Sequence, residues 1–325
     1  MKYTVLLLIG LAAIASPLQA CNVPVFRYAL ERWQTDSSEV IVFHDGEFSQ
    51  TQQEEVRELT AKSERAHGKF ILADVSQTPD DAVSSLWKDL QNSKAELPWV
   101  VIRSNVAEKS VNCWRGTLAD SLKLPVLDSP VRRELSQRLL SGHSVVWLML
   151  KGRDGAETDR LKTVLTAELN KLGTRIPIPD GIGLPGSELF SDIPLLMKFS
   201  VIEIDPGDAQ ETFLTGLLQS FAPEAVQEGQ ALVVPVFGRG RALEVIPGRQ
   251  LNEGLIEDLT VYLSGACSCQ VKERNPGFDL ITMTDWETEL YGEDAEDVRS
   301  QIQPPKSGDA PVLLTIPPGS KSRNR

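Results

Sequence analysis

Cysteine, histidine, basic charge and long apolar runs are all scarce in this chain. Four cysteines in 325 residues exclude a disulfide-stapled scaffold, which needs a far higher density of them. The three histidines, His44, His67 and His143, stand apart in sequence, and none pairs with a second ligand at zinc-site spacing. No Gly-x-Ser-x-Gly elbow, phosphate loop or dinucleotide fingerprint occurs. Basic residues number 33 against 45 acidic ones, a net charge of -12. That balance argues against a nucleic-acid partner or an anionic membrane surface, since both attract clustered Lys and Arg. Beyond the N-terminus, no stretch is long and apolar enough to span a bilayer.

What remains is an ordinary globular composition, 41% hydrophobic and 24% charged, at a length that predicts two domains, each with its own core. The first twenty residues read as an export signal. Lys2 precedes an apolar run from Val5 to Ala15, then Ser16-Pro17-Leu18-Gln19-Ala20 and Cys21. The run has the length of a signal h-region and is too short for a spanning helix. Leu18-Gln19-Ala20-Cys21 also resembles the bacterial lipobox, in which the cysteine becomes the lipidated first residue. Ordinary cleavage after Ala20 is the other outcome. Either way the expected address is outside the cytoplasm, with a membrane anchor if Cys21 is acylated and an envelope protein as the expected partner.

Along the mature chain, apolar patterning alternates between short β-branched runs and helical periodicity. Residues 39–44, 70–75, 99–103 and 110–115 read as strands, with helices over 49–67, 79–91 and, broken near Pro125 and Pro130, 118–140. Residues 145–150, 195–204, 231–237 and 242–246 repeat the strands, with helices at 157–172, 211–221 and 252–264. The two halves share one βαβαββα order, displaced by a Gly/Pro-rich insertion over 173–194. The expected boundaries are a leader over 1–20, domains over 21–142 and 143–291, and a Pro-rich disordered tail over 292–325. Within the tail, Pro311-Val312-Leu313-Leu314-Thr315-Ile316-Pro317 is apolar and extended, suited to adding a strand to a sheet edge. The apolar segment 21–33 predicts a helix docked on the first domain.

This order resembles the thioredoxin-like fold, an α/β three-layer sandwich. Ala73-Asp74-Val75 before Thr78-Pro79-Asp80 resembles the end of that family's second strand and the start of the next helix. Leu97-Pro98-Trp99 opens the third strand where the family carries its cis-proline. Val201-Ile202-Glu203-Ile204-Asp205 and Pro235 echo the same places in the second half, and Gly238-Arg239-Gly240 joins strands three and four. As a whole the chain resembles exported bacterial lipoproteins. The resemblance implies tandem thioredoxin-like domains, but it departs where the family's chemistry lies. Thioredoxin-type enzymes carry Cys-x-x-Cys after the first strand, where the helix N-terminus creates the attacking thiolate. Here those turns read His44-Asp45-Gly46-Glu47-Phe48-Ser49 and Lys151-Gly152-Arg153-Asp154-Gly155.

The remaining thiol candidates are Cys267 and Cys269, in Cys267-Ser268-Cys269 after the last predicted helix. Two thiols two residues apart close a strained, labile disulfide, or ligate a soft ion such as Cu(I). Cys113 is the candidate disulfide partner of either, and simple buried thiols are the plain alternative. His44, beside Asp45 at the end of the first strand, faces the fold's usual active edge. The glycine-rich Gly181–Gly186 reads as an exposed loop suited to contacts. The expectation is a non-catalytic binding or scaffolding module; a thiol-disulfide oxidoreductase or Cu(I)-handling protein acting through Cys267 and Cys269 is the alternative.

Overall fold

The computed structural model describes residues 22–36, 38–77, 81–92, 95–106, 109–268, 271 and 275–302. Helix α1 (Val25–Arg32) precedes β1 (Ser38–His44), α2 (Gln50–Arg65), β2 (Gly68–Asp74), α3 (Asp81–Asn92), β3 (Trp99–Val106) and β4 (Lys109–Thr117). Helices α4 (Leu118–Lys123) and α5 (Pro130–Leu140) lead to β5 (Val145–Leu150), α6 (Gly155–Arg175) and β6 (Phe199–Ile204). Then come α7 (Thr212–Phe221), α8 (Pro223–Gln227), β7 (Leu232–Phe237), β8 (Arg241–Ala242), β9 (Ile246–Pro247) and α9 (Glu253–Ser264). The described chain closes with β10 (Phe278–Asp279), α10 (Trp286–Tyr291) and α11 (Ala295–Gln301).

The strands form two open mixed sheets in an α/β architecture. The first runs β2-β1-β3-β4, with β1 parallel to β2 and antiparallel to β3. The second runs β6-β5-β7-β8-β10, with β5 parallel to β6 and antiparallel to β7. The first four strands of each half therefore share one order and one set of directions. The Leu97–Pro98 peptide is cis, directly before β3, at the place the resemblance indicated. The fourth strand of the second half is interrupted. Arg241–Ala242 and Ile246–Pro247 pair separately with β7, where the sequence suggested one strand over 242–246.

Strand alternation sorts the core. Val40 and Val42 of β1 face one way, and Ile41 and Phe43 the other, against Val83, Leu86 and Leu90 of α3. In β5, Trp147 and Met149 face α6, α9 and α1. Val146 and Leu148 join Val40, Val42, Val100 and Ile102 of the first sheet through Phe213, Leu214 and Leu217 of α7. The largest apolar cluster thus spans both sheets. Two separate cores were expected, but the inner faces of the two sheets are buried against one shared layer.

Two expected placements need correction. Helix α1 docks on the second sheet, not on the first domain: Val25, Phe26, Ala29 and Trp33 pack with Trp147, Phe237 and Leu263. Pro24 bridges Ala266, and the Val25 amide donates to the Gly265 carbonyl. The Pro-rich tail also starts later than residue 292, because α11 packs Ala295, Val298 and Ile302 against the shared cluster. Acidic composition hid that apolar spacing. Residues 303–325, with the Pro311–Pro317 segment, lie outside the described residues.

Candidate functional site

In the first half, the turn after β1 is built by an ordinary helix start. The Ser49 hydroxyl accepts from the Gln52 amide, and the Gln52 side chain accepts from the Ser49 amide, a reciprocal capping box. His44 Nδ1 lies 2.8 Å from the Gly46 carbonyl, a contact that places the proton on that nitrogen. Its ring lies 4.4 Å from that of Phe48, tilted by 36°. His44 is the register partner of Asp74 on β2. Hydrogen bonds from Ser76 and Gln77 hold the exposed Asp74 carboxyl below the usual carboxylate range. This edge presents an imidazole and a carboxylate on neighbouring strands, with no thiol in the turn.

The second turn is closed over. Asp154 caps α6 by accepting from the Ala156 and Glu157 amides. The Arg153 guanidinium donates to the Gln227 carbonyl, and the Arg153 amide to Gly229. A Cβ at Gly152 would stand 2.7 Å from the Gly229 carbonyl and the Ala231 amide nitrogen, so the 229–231 backbone lies directly against this turn. The dipole-favoured start of α6 therefore carries an aspartate cap where a redox enzyme would carry a thiolate.

Cys113 and Cys267 do not come together. Cys113 is a buried free thiol on β4 that donates to the Val111 carbonyl at 3.2 Å. Burial pushes it above the ordinary thiol range, which opposes thiolate formation. Cys267 is 2% exposed and belongs to the cluster on the outer face of the second sheet, whereas Cys113 belongs to the shared cluster. A Cys113–Cys267 disulfide is therefore not formed. The Cys267 amide donates to the Val23 carbonyl at 2.9 Å. Cys21 and Cys269 lie outside the described residues. Among the described residues, no three His, Cys, Asp or Glu side chains gather as metal ligands. His143 binds Ser200 Oγ at 2.8 Å, and burial, with Lys198 and Arg138 nearby, lowers its pKa to about 4.

Sequence reasoning missed a buried ionic hub around α1. Arg27 and Glu31 pair at 2.9 Å with side chains 1% and 0% exposed. Arg27 also donates to the Ser191 and Ile193 carbonyls, and Glu31 accepts from the Phe190 and Ser191 amides. These bonds fix the inserted loop to α1, so it is less free than its Gly/Pro content suggested. Arg239, in the β7–β8 turn, donates to the Leu30 and Glu31 carbonyls and pairs with Glu287. Gly238 approaches α1 so closely that a Cβ would fall 2.7 Å from that of Ala29. Nearby, Arg241 pairs with Asp36 and Asp279, and burial pushes Asp279 up to about 6. The available signal was Arg27 and Glu31 at i,i+4 in a helix whose other residues, apart from Arg32, are apolar or aromatic.

Among the described residues, open clefts large enough for a ligand or a peptide segment lie at several places. One, of about 530 Å³, crosses both halves and is bordered by Lys62, Lys123, Leu124, Arg133, Gln210 and Met283. Clefts of about 460 and 540 Å³ lie in the second half, beside Phe221 and Arg249 and beside Arg160 and Val164 respectively. The chain matches no protein-family model and no curated protein.

Proposed function

We propose that this chain is an exported, lipid-anchored envelope protein built on two tandem thioredoxin-like units, with Cys21 as the acylated residue. It serves as a non-catalytic binding module for an envelope protein partner. Supporting the tandem reading, the two halves share strand order and directions through β1–β4 and β5–β8. The observation that carries the functional reading is how the two leading helices begin. Ser49 with Gln52 caps one and Asp154 the other, so the positions that would host attacking thiolates hold ordinary caps. We assign the partner to the cleft that crosses both halves, where Lys62, Lys123 and Arg133 border apolar Leu124 and Met283.

The test has two arms. Intact mass of the mature chain from membranes is expected to show acyl groups on Cys21; a terminus there without acyl overturns the anchor. Cross-linking in cells is expected to capture a partner that a Lys123→Glu, Arg133→Glu variant no longer captures. The Cys267→Ser, Cys269→Ser variant should capture it unchanged. Thiol-disulfide exchange by the native protein that this cysteine variant lacks would replace the binding reading with the oxidoreductase one.

A further inference from the structure

The first described residue, Asn22, directly follows Cys21 and is already held by the fold. The Asn22 amide donates to Ser187 Oγ at 2.9 Å, and Ser187 is buried. A Cβ at Gly181 would stand 2.6 Å from Asn22 Nδ2, which places the 181–187 loop against that residue. Val23 is fully buried, and residues 23–25 exchange backbone hydrogen bonds with Gly265 and Cys267 just beyond α9. Successive Cα atoms stand ~3.8 Å apart, so an acylated Cys21 has no tether between it and the body.

Around this point the surface is apolar. Seven large hydrophobic side chains are exposed among the described residues, and four of them lie on the two segments that hold residues 22–25. Ile178 and Leu184, 45% and 61% exposed, flank Gly181 in the loop. Val261 and Tyr262, 45% and 38% exposed, sit on the outward side of the last turn of α9, whose Leu263 and Ser264 turn inward. Among the described residues the neighbouring charges are acidic in balance: Asp180, Glu188, Glu257 and Asp258 against Arg175, which pairs with Glu257, and Arg32, which donates to the Glu188 carbonyl. An exposed apolar group of this kind marks a contact surface. Its sign of charge disfavours anionic headgroups and leaves burial of apolar area as the attraction.

We propose that Ile178, Leu184, Val261 and Tyr262 form a membrane-facing patch that seats the body directly on a zwitterionic lipid surface around the Cys21 anchor. The proposal rests on the acylation of Cys21 stated above. It supplies the second attachment that turns a point anchor into a fixed orientation, with apolar side chains entering the headgroup boundary. The clefts of the second half beside Phe221 and Arg160 are then held at a set angle to the bilayer.

The acylated full chain in phosphatidylcholine vesicles tests this by hydrogen exchange, with intact mass read on the same sample. Amides over 178–188 and 261–266 should exchange at least about threefold more slowly than in a variant with ten Gly/Ser residues inserted between Cys21 and Asn22, because local opening must then also undo lipid contact. Ile178→Ser with Leu184→Ser and Tyr262→Ser should lose the same protection, with exchange in β5 and β7 unchanged. Acyl mass with no protection overturns the patch and leaves the anchor standing. Missing acyl mass removes both. Protection that appears without vesicles and vanishes on dilution assigns the patch to a second copy of the chain and overturns the lipid reading.

Discussion

The two sheets share one strand plan but differ in how they are covered. In the second, β5 and β7 are buried at every position, because α6, α9 and α1 cover the outer face and α7 the inner one. Between the matching edge strands, β6 of the second sheet has no exposed residue, whereas β2 of the first exposes Lys69 and Leu72, the latter to 50%. Their leading turns differ in the same direction: His44 and Asp74 stand at an open edge, whereas Arg153 and Gly152 are packed against 226–231. The difference follows from α1 and the inserted loop, which are additions to the second half with no counterpart on the first. Equal strand plans therefore do not imply equal coverage. The second half is the more completely covered one, and the first carries the accessible edge.

The sharpest way to break this contrast is to remove its buried charge. Glu31→Ala leaves Arg27 without its carboxylate at an almost fully buried site and frees the Phe190 and Ser191 amides. A loss of about 3 to 5 kcal/mol is expected in chemical denaturation. Glu39→Ala, which breaks the Arg103–Glu39 pair of the first sheet with side chains 12% and 14% exposed, should cost about 1 to 2 kcal/mol, water being able to reach the arginine. Equal losses would deny that the hub around α1 is special. Leu148→Ala, in the layer common to both sheets, should cost about 2 to 5 kcal/mol. It should also lower protection in β1 and β3 along with β5. Loss confined to β5, β6 and β7 would show that the sheets unfold separately.

The same contrast has a pH signature. Asp279 is pushed up from 3.8 to about 6 by burial, against the pull of Arg241. The folded state then binds more protons than the unfolded one between these values, so this group's contribution falls as pH rises from about 4 to about 6. It should amount to about 2 to 3 kcal/mol. His143 works in the opposite sense. Its pKa is lowered from 6.5 to about 4, so protons bind the unfolded state more readily and stability falls as pH drops through that window, by a smaller amount because the ring is partly solvated. Urea denaturation from pH 4 to 6.5 should show the Asp279→Asn variant losing the falling component and His143→Gln losing the rising one. Parallel profiles for all three proteins would remove the assignment to these groups.

Much of the strand plan was legible because each strand is a compact apolar run. β5 appears at Val145–Leu150, and α6 begins just after Asp154, whose capping residue type marks the start. The arrangement between elements was not legible. The partners of Phe26 and Trp33 lie more than a hundred residues along the chain at Trp147 and more than two hundred at Phe237 and Leu263, and no local pattern distinguishes a face meant for one sheet from a face meant for the other. The interruption of β8 and β9 was invisible for a related reason: residues 242–246 are apolar apart from Glu244 and read as one strand, although Glu244 and Val245 leave the ladder. At the candidate site, the missing cysteines of the two turns could be read directly. The burial of Cys113 and the closure of the second turn by Arg153 depend on tertiary contacts and could not.

The smallest expected effect tests the exposed end of the comparison. Leu72 projects from β2, an edge strand of the first sheet whose partner on one side is β1 and whose other side pairs with no strand among the described residues. Removing a half-exposed side chain forfeits little apolar burial, so Leu72→Thr should shift stability by no more than about 0.5 kcal/mol, threonine being well suited to a strand. The edge itself should respond more than the stability does. An exposed apolar edge strand invites pairing with another chain, so the variant should be less prone to associate at high concentration, as followed by light scattering. A loss of 2 kcal/mol or more would mean that β2 is covered in solution, and the accessible edge assigned to the first half would then belong to a buried interface.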